Sequence, residues 1–257
     1  MNLLAFDTST EVMSIAVSRT AGGSGLWQHT GVGGAQASAH LIGAVLDLLQ
    51  QADLQLTDLD AICFGAGPGS FTGLRTACAV AQGLGYGAGV PVLAVDSLLA
   101  VAEEARAQAL GDQATCCITA LLDARMNEMY AATWTWDGAL WTEVSESALL
   151  RPEALQTQGV VLAGNVFGVY AGRLAAEQGG LGHAVQLNAL PTAAALLRVA
   201  PQLLAAGLAG DAAQALPRYI RDQVAKTTAE RDREKALARE AATVANAAQS
   251  VNTATSL

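Results

Sequence analysis

The sequence predicts an α/β protein built as two similarly organised lobes, and three observations lead there. Strand-like and helix-like runs alternate through the first half. The same order restarts near residue 111. In each half an aspartate, Asp7 and then Asp123, closes the first apolar run just before a polar turn.

Leu3–Phe6 is a short apolar run ending at Asp7-Thr8-Ser9-Thr10, and Met13–Val17 is the returning strand of a hairpin. The glycine-rich stretch 22–34 suits a further hairpin or loop around Leu26–His29. Ser38 is placed to cap a helix over Ala39–Gln51, with Leu41, Val45 and Leu48 on one face and Ile42 and Leu49 beside them. Ala61–Phe64 is a buried-strand candidate that leads through a glycine-rich turn into a helix from about Ser70 to Leu84. Val90–Val95 is the next strand, and Asp96-Ser97 caps a helix over Leu98–Ala109. In the second half, Cys117–Leu122 and Tyr130–Trp136 form a hairpin across Asp123-Ala124-Arg125. Val160–Leu162 is a strand, a helix follows near Phe167–Glu177, and Thr192 caps another that Pro201 should kink or interrupt. The expected division is a first lobe over 1–110, a second over 111–225, and a charged, low-complexity tail over 226–257. The tail reads as disordered or a frayed helix.

Composition narrows the function classes. The chain is 52% hydrophobic and only 14% charged, so it has ample core material and little charge to cover a surface. An apolar patch kept for a partner fits this, as does a core rich in small residues. The formal net charge of −9 disfavours direct nucleic-acid binding, which draws on Lys and Arg at phosphates. The four cysteines make no C-x-x-C pair, the first residues do not read as a signal peptide, and no apolar run is long enough to span a membrane. A cytoplasmic protein is expected.

The turn Gly65-Ala-Gly-Pro-Gly-Ser-Phe-Thr-Gly-Leu-Arg75 is the most specific stretch. Glycine-rich turns entering a helix often cradle phosphate. Here, however, Leu74 follows Gly73 where a P-loop needs lysine, and neither Gly65 nor Gly67 starts a complete G-x-G-x-x-G. Close packing of strand against helix explains the glycines as well. The next helix presents Ala77, Cys78, Ala81 and Gly85 as a smooth face, suited to an approaching helix within its own core or across an interface. Asp7, Thr8, Ser9 and Asp123 are candidates for degenerate phosphate-binding turns, or each aspartate simply caps its hairpin. Arg75 and Arg125 suit an anion and an acid of the same chain equally. If the two halves are duplicated, their hairpin turns face a shared cleft, as in the actin, Hsp70 and sugar-kinase (ASKHA) superfamily with its ribonuclease-H-like lobes.

Phe6-Asp7-Thr8-Ser9, Gly67-Pro-Gly-Ser-Phe-Thr-Gly-Leu-Arg75, Leu122-Asp123-Ala124-Arg125 with Tyr130, and Pro217-Arg-Tyr-Ile-Arg221 occur in an order and spacing that resemble the TsaB family. The resemblance runs over roughly Met1–Val224. It implies an actin-like two-lobe fold with a degenerate nucleotide cleft and no catalytic residues or cofactor. It also implies a scaffolding role beside a paralogous TsaD-like threonylcarbamoyltransferase and a TsaE-like P-loop ATPase. Transfer RNA would be reached only through that complex, and a homodimer of the free chain is a further expectation.

The catalytic paralogue carries a metal on two histidines four apart on a helix. This chain has three histidines, His29, His40 and His183, and the position four after His40 is Ala44, so no metal site is expected. The rival readings are enzymes of the same superfamily, a glycoprotease-type peptidase or a small-molecule kinase. The expected partner interface lies on the two first-lobe helices, at His40, Leu41, Val45, Leu48, Phe71, Leu74, Ala77, Cys78 and Ala81. In the competing arrangement Ala81 faces its own lobe's core.

Overall fold

The computed structural model describes residues 1–20, 24–111, 115–156, 161–176 and 185–221. Met1–Ile220 forms one compact unit, and Arg221 onward falls in a second. The tail beyond Lys226 and His183 lie outside the described residues.

Alternation of large and small apolar residues sets the first sheet. Its strands are β1 (Leu3–Asp7), β2 (Val12–Arg19), β3 (Gly25–Val32), β4 (Ala61–Gly67) and β5 (Val92–Asp96), in the order β3-β2-β1-β4-β5. Side chains alternate across a strand. Leu4, Phe6, Met13, Ile15, Val17, Ile62 and Phe64 therefore fill one face, against α1 (Ala37–Gln51) and α2 (Phe71–Ala88). The other face carries Leu3, Ala5, Ala16, Ala61 and Cys63. Its mostly small side chains let α5 (Ala193–Ala205) lie close on β1 and β2.

The second sheet repeats the plan. Its strands are β6 (Cys116–Asp123), β7 (Met129–Trp136), β8 (Trp141–Leu150), β9 (Val161–Gly164) and β10 (Val185–Asn188), in the order β10-β9-β6-β7-β8. Reading β6 for β1, β7 for β2 and so on, the two orders are the same. β1 and β6 each pair antiparallel with the next strand and parallel with the fourth. Asp7 and Asp123 both end the central strand, as the sequence expectation required. The duplicated α/β plan is that of the actin-like superfamily.

The helices join the halves. α3 (Ser97–Ala105) follows the first sheet yet packs on β6 and β7, while α5 follows the second and packs on the first. One apolar cluster accordingly contains Leu3 and Leu93 of the first sheet, Leu98 and Val101 of α3, Ile118 and Leu122 of the second sheet, and Leu196 of α5. α4 (Phe167–Ala176) covers the far face of the second sheet through Tyr170 and Leu174.

Several local expectations change. Ser38 does not stand at the helix start: α1 begins at Ala37 behind a short 3-10 turn, and Gln36 at its N-cap makes no side-chain cap bond. Asp96 caps α3 as expected, accepting from the Leu98 and Leu99 amides, but that helix gives way to a π turn over Arg106–Leu110. Thr192 caps α5 through the Ala195 amide, and α5 continues through Pro201 to Ala205. The irregular backbone lies in α4 instead, at Tyr170. β8 and β10 were not anticipated. Both are edge strands, and neither carries a buried apolar run.

Candidate functional site: the two hairpin turns and the outer face of α1 and α2

Asp7 is buried, and its carboxylate is already engaged. The Ser9 amide and hydroxyl donate to Oδ1 at 2.7 and 2.6 Å, and the Ser97 hydroxyl donates to Oδ2 at 2.9 Å. Burial pushes its pKa up to about 6, against the pull of those hydrogen bonds. Gly65 presses on the same carboxylate, since a Cβ there would stand 1.8 Å from Oδ2. The following turn is equally occupied. Thr8 Oγ1 donates to the Gly73 carbonyl at 2.8 Å, and the Ser70 amide donates to the Ser9 carbonyl at 2.7 Å. Gly65, Gly69 and Gly73 are thus places where the glycine-rich turn and the start of α2 lie directly on the first hairpin.

The second turn is built differently. Asp123 accepts from the Tyr170 hydroxyl at 2.7 Å and the Arg125 amide at 2.9 Å, while its own amide donates to Asn165. Burial and the adjacent Asp123 carboxylate push the Tyr170 phenol up to about 12. Arg125, Met126 and Asn127 all have positive φ, which non-glycine residues rarely adopt in succession. Arg125 then reaches both Asp123 and Glu11, so the two hairpin turns are tied by an ion pair. Thr8, Ser9 and both aspartates bond within the chain.

No three His, Cys, Asp or Glu side chains among the described residues converge to hold a metal ion. His29 and His40 are exposed on β3 and α1 respectively. Among the described residues no helix is long and apolar enough to cross a membrane.

The expected interface requires a correction. Leu41, Val45, Leu48, Leu74, Ala77, Cys78 and Ala81 are buried in their own lobe, with Ala77 and Ala81 facing the sheet core beside Phe64 and Ile62. The apolar stripe of α1 is consumed by the sheet because α1 and α2 sit side by side on it, each burying one face. Only His40 and Phe71 of the nine are exposed. The outer face has a different membership. Ile42 and Leu46 project from α1, and Phe71 and Tyr86 from α2, all well exposed. Between the helices runs an open groove lined by Ser38, Phe71, Thr72, Arg75, Thr76, Ala79 and Val80.

Two motifs far apart in sequence meet at one end of this groove. The Arg218 amide donates to the Ala66 carbonyl at 2.7 Å, and Gln82 and Cys78 hold the Ala215 carbonyl. Arg218 also pairs with Asp96 at 2.7 Å. This strap lays Tyr219 against Phe71, with ring centroids 5.5 Å apart. Arg75 stacks on Phe71, its guanidinium carbon 3.8 Å from the ring centroid, and its Nε donates to the Tyr219 hydroxyl at 3.0 Å. Sequence reasoning named Phe71 and Arg75 but not their meeting with Tyr219. The i, i+4 spacing of the first two was legible; the strap was not.

Residues 32–249 match a family model described as TsaD, tRNA N6-adenosine threonylcarbamoyltransferase. The tRNA threonylcarbamoyladenosine biosynthesis protein TsaB of Escherichia coli K12 is 31% identical over 236 residues, 88% of this chain and 96% of that protein. The Haemophilus influenzae protein of the same name is 35% identical over about half of each chain, 51% and 52%. Among solved structures, YeaZ from Pseudomonas aeruginosa superposes with a TM-score of 0.73 at 35% identity, covering 85% of this chain and 99% of that one. Another structure, titled an uncharacterized protein with similarity to peptidase YEAZ from the same organism, gives 0.74.

Proposed function

The chain is a member of the TsaB/YeaZ family, and on that premise we propose that it is a non-catalytic subunit in the making of threonylcarbamoyladenosine in tRNA. In this reading it binds a TsaD-family threonylcarbamoyltransferase and holds it in its active form, with a TsaE-like ATPase in the same assembly. The observation that supports it is the occupied first hairpin: the donors around Asp7 and the close approach of Gly69 and Gly73 commit that turn to contacts within the chain. The docking surface is the outer face of α1 and α2, through His40, Ile42, Leu46, Phe71 and Tyr86, rather than the buried stripe. A net charge of −9 leaves tRNA to be held by another subunit.

The test is co-expression with the TsaD-family subunit of the same genome, followed by size-exclusion chromatography. A stable complex that is lost in a folded Leu46→Glu variant supports the proposal. A native chain that elutes alone overturns it. Calorimetry with ATP addresses the rival kinase reading, which requires micromolar binding to the isolated chain.

A further inference from the structure

We propose that Arg75 is a fixed carboxylate receptor at the end of the α1–α2 groove, and that the partner helix entering the groove presents an Asp or Glu to it. This rests on the partner-binding reading above and names the chemistry that reading lacks.

The first observation is how firmly Arg75 is held. Phe71 and Arg75 lie four residues apart on α2, so the guanidinium falls naturally on the ring. The Tyr219 hydroxyl accepts a hydrogen bond from Nε, which fixes the guanidinium a second time. The backbone just before Tyr219 is itself anchored by the Arg218 amide on Ala66. An exposed arginine normally loses rotamer freedom on binding; this one has lost much of it already.

The second observation is what Arg75 lacks. Acids outnumber bases 23 to 14 in this chain. Among the described residues Arg19, Arg106, Arg125, Arg173, Arg198 and Arg218 each face a carboxylate of the same chain. Among the described residues Arg75, like Arg151, has no carboxylate partner, and its only hydrogen bond is made by Nε, which leaves the N–H donors of its terminal nitrogens for a ligand. A planar fork with both terminal nitrogens free matches a carboxylate in two parallel hydrogen bonds.

The third observation is the groove beside it. Thr72, Thr76, Ala79 and Val80 give it a wall of short side chains, with Ser38 opposite. Such a wall admits a helix closely, and the helix needs one acidic side chain at the Phe71 end. A single cation on an acidic protein is a poor receptor for the polyanionic backbone of RNA, which needs several. The chemistry therefore points to a protein carboxylate.

The experiment titrates the native chain, Arg75→Gln, Arg75→Lys and Tyr219→Phe with the TsaD-family subunit of the same genome, at low and high salt, after circular dichroism establishes equal folding. Arg75→Gln should weaken binding about 10–100-fold, the loss of a charge-assisted pair. Arg75→Lys should not restore it, because an ammonium lacks the planar fork. Tyr219→Phe keeps the ring and removes the hydroxyl, and should weaken binding about 3–10-fold. Added salt should weaken the native complex more than the Arg75→Gln complex. An Arg75→Gln chain with native Kd and native salt response overturns the carboxylate receptor while leaving the partner reading in place. A native chain that does not bind at all overturns both. Retention of tRNA lost in Arg75→Gln, with capture of the protein unchanged, would reassign the site to phosphate and overturn the proposal.

Discussion

Thr8 and Gly73 are in direct contact. The Thr8 hydroxyl donates to the Gly73 carbonyl, and a Cβ on Gly73 would stand 1.8 Å from the Thr8 carbonyl oxygen. The first hairpin turn and the start of α2 are therefore a single packed junction with no room for even one methyl group. The glycine at 73 answers to this approach rather than to a phosphate.

Gly73→Ala should accordingly destabilise the fold, although alanine is the better helix former. The nearest atom is backbone, which cannot swing aside, so the hairpin and α2 must separate. Overpacking of this kind costs about 1–3 kcal/mol or more. Urea denaturation of the variant checks it. A variant as stable as the native chain would show that the junction yields easily.

Asp7→Asn should stabilise the protein at neutral pH. The folded-state pKa of Asp7, about 6, stands above its ordinary value of 3.8. The folded state thus holds the proton more tightly than the unfolded chain. The stability this contributes is full below about pH 4 and lost as the pH rises through about 6. Asparagine stays neutral throughout, accepts from Ser9 and donates to Ser97. Its advantage should reach at most about 3 kcal/mol above pH 7 and shrink towards pH 4. Denaturant midpoints of both chains across this range are the measurement. A difference that does not change with pH removes Asp7 as the cause.

Ala81→Glu and Leu46→Glu should separate core from surface. Ala81 is fully buried among the side chains under α2, so a charge there lacks both water and a partner, and the variant should unfold or melt far below the native chain. Leu46 is 49% exposed, and its replacement should change stability by only about 0.5 kcal/mol. Capture of the TsaD-family subunit should nonetheless fail with Leu46→Glu. A stably folded Ala81→Glu variant would contradict the packing of α2 on the first sheet.

These two helices also show what the sequence made legible. Apolar periodicity located α1 and α2 and identified the residues on their apolar faces. It did not say what covers those faces, because a stripe facing a sheet and a stripe facing a partner have the same spacing. Only the placement of both helices on one sheet decides for Leu41, Val45 and Ala81. The central strands read easily because β1, β4 and β6 are buried on both sides. β8 carries no signal in the sequence because Thr142, Glu143, Val144 and Glu146 are exposed and show no apolar alternation. The hairpin acids were visible as a repeated pattern. The donors that occupy Asp7 come partly from Ser97, ninety residues away, and no local signal joins them.

Glu103 provides the last prediction, because it ties the two halves of the molecule together. It lies on α3 and is 2% exposed. Arg106 donates to both its oxygens at 2.8 and 2.9 Å, Arg198 of α5 donates at 2.7 Å, and the Trp141 indole of β8 donates at 3.0 Å. Burial alone would raise its pKa. The hydrogen bonds from Arg106 and Trp141 and the charges of Arg106 and Arg198 outweigh burial and hold it below the usual value. A depressed folded pKa means stability that is present above the ordinary glutamate range and lost as the pH falls through the folded value. Glu103→Ala should therefore destabilise the protein at neutral pH by about 1–3 kcal/mol, since it leaves Arg106 and the Trp141 indole without their shared buried anion while Arg198 keeps Glu104. The deficit should narrow in acid, where the native chain loses the same interaction. Trp141 loses its indole acceptor, and the tryptophan fluorescence, to which it contributes with three others, should shift in the variant at pH 7 without full unfolding. A Glu103→Ala chain with native stability and native tryptophan emission would show that the shared apolar core holds α3, α5 and β8 together without this cluster.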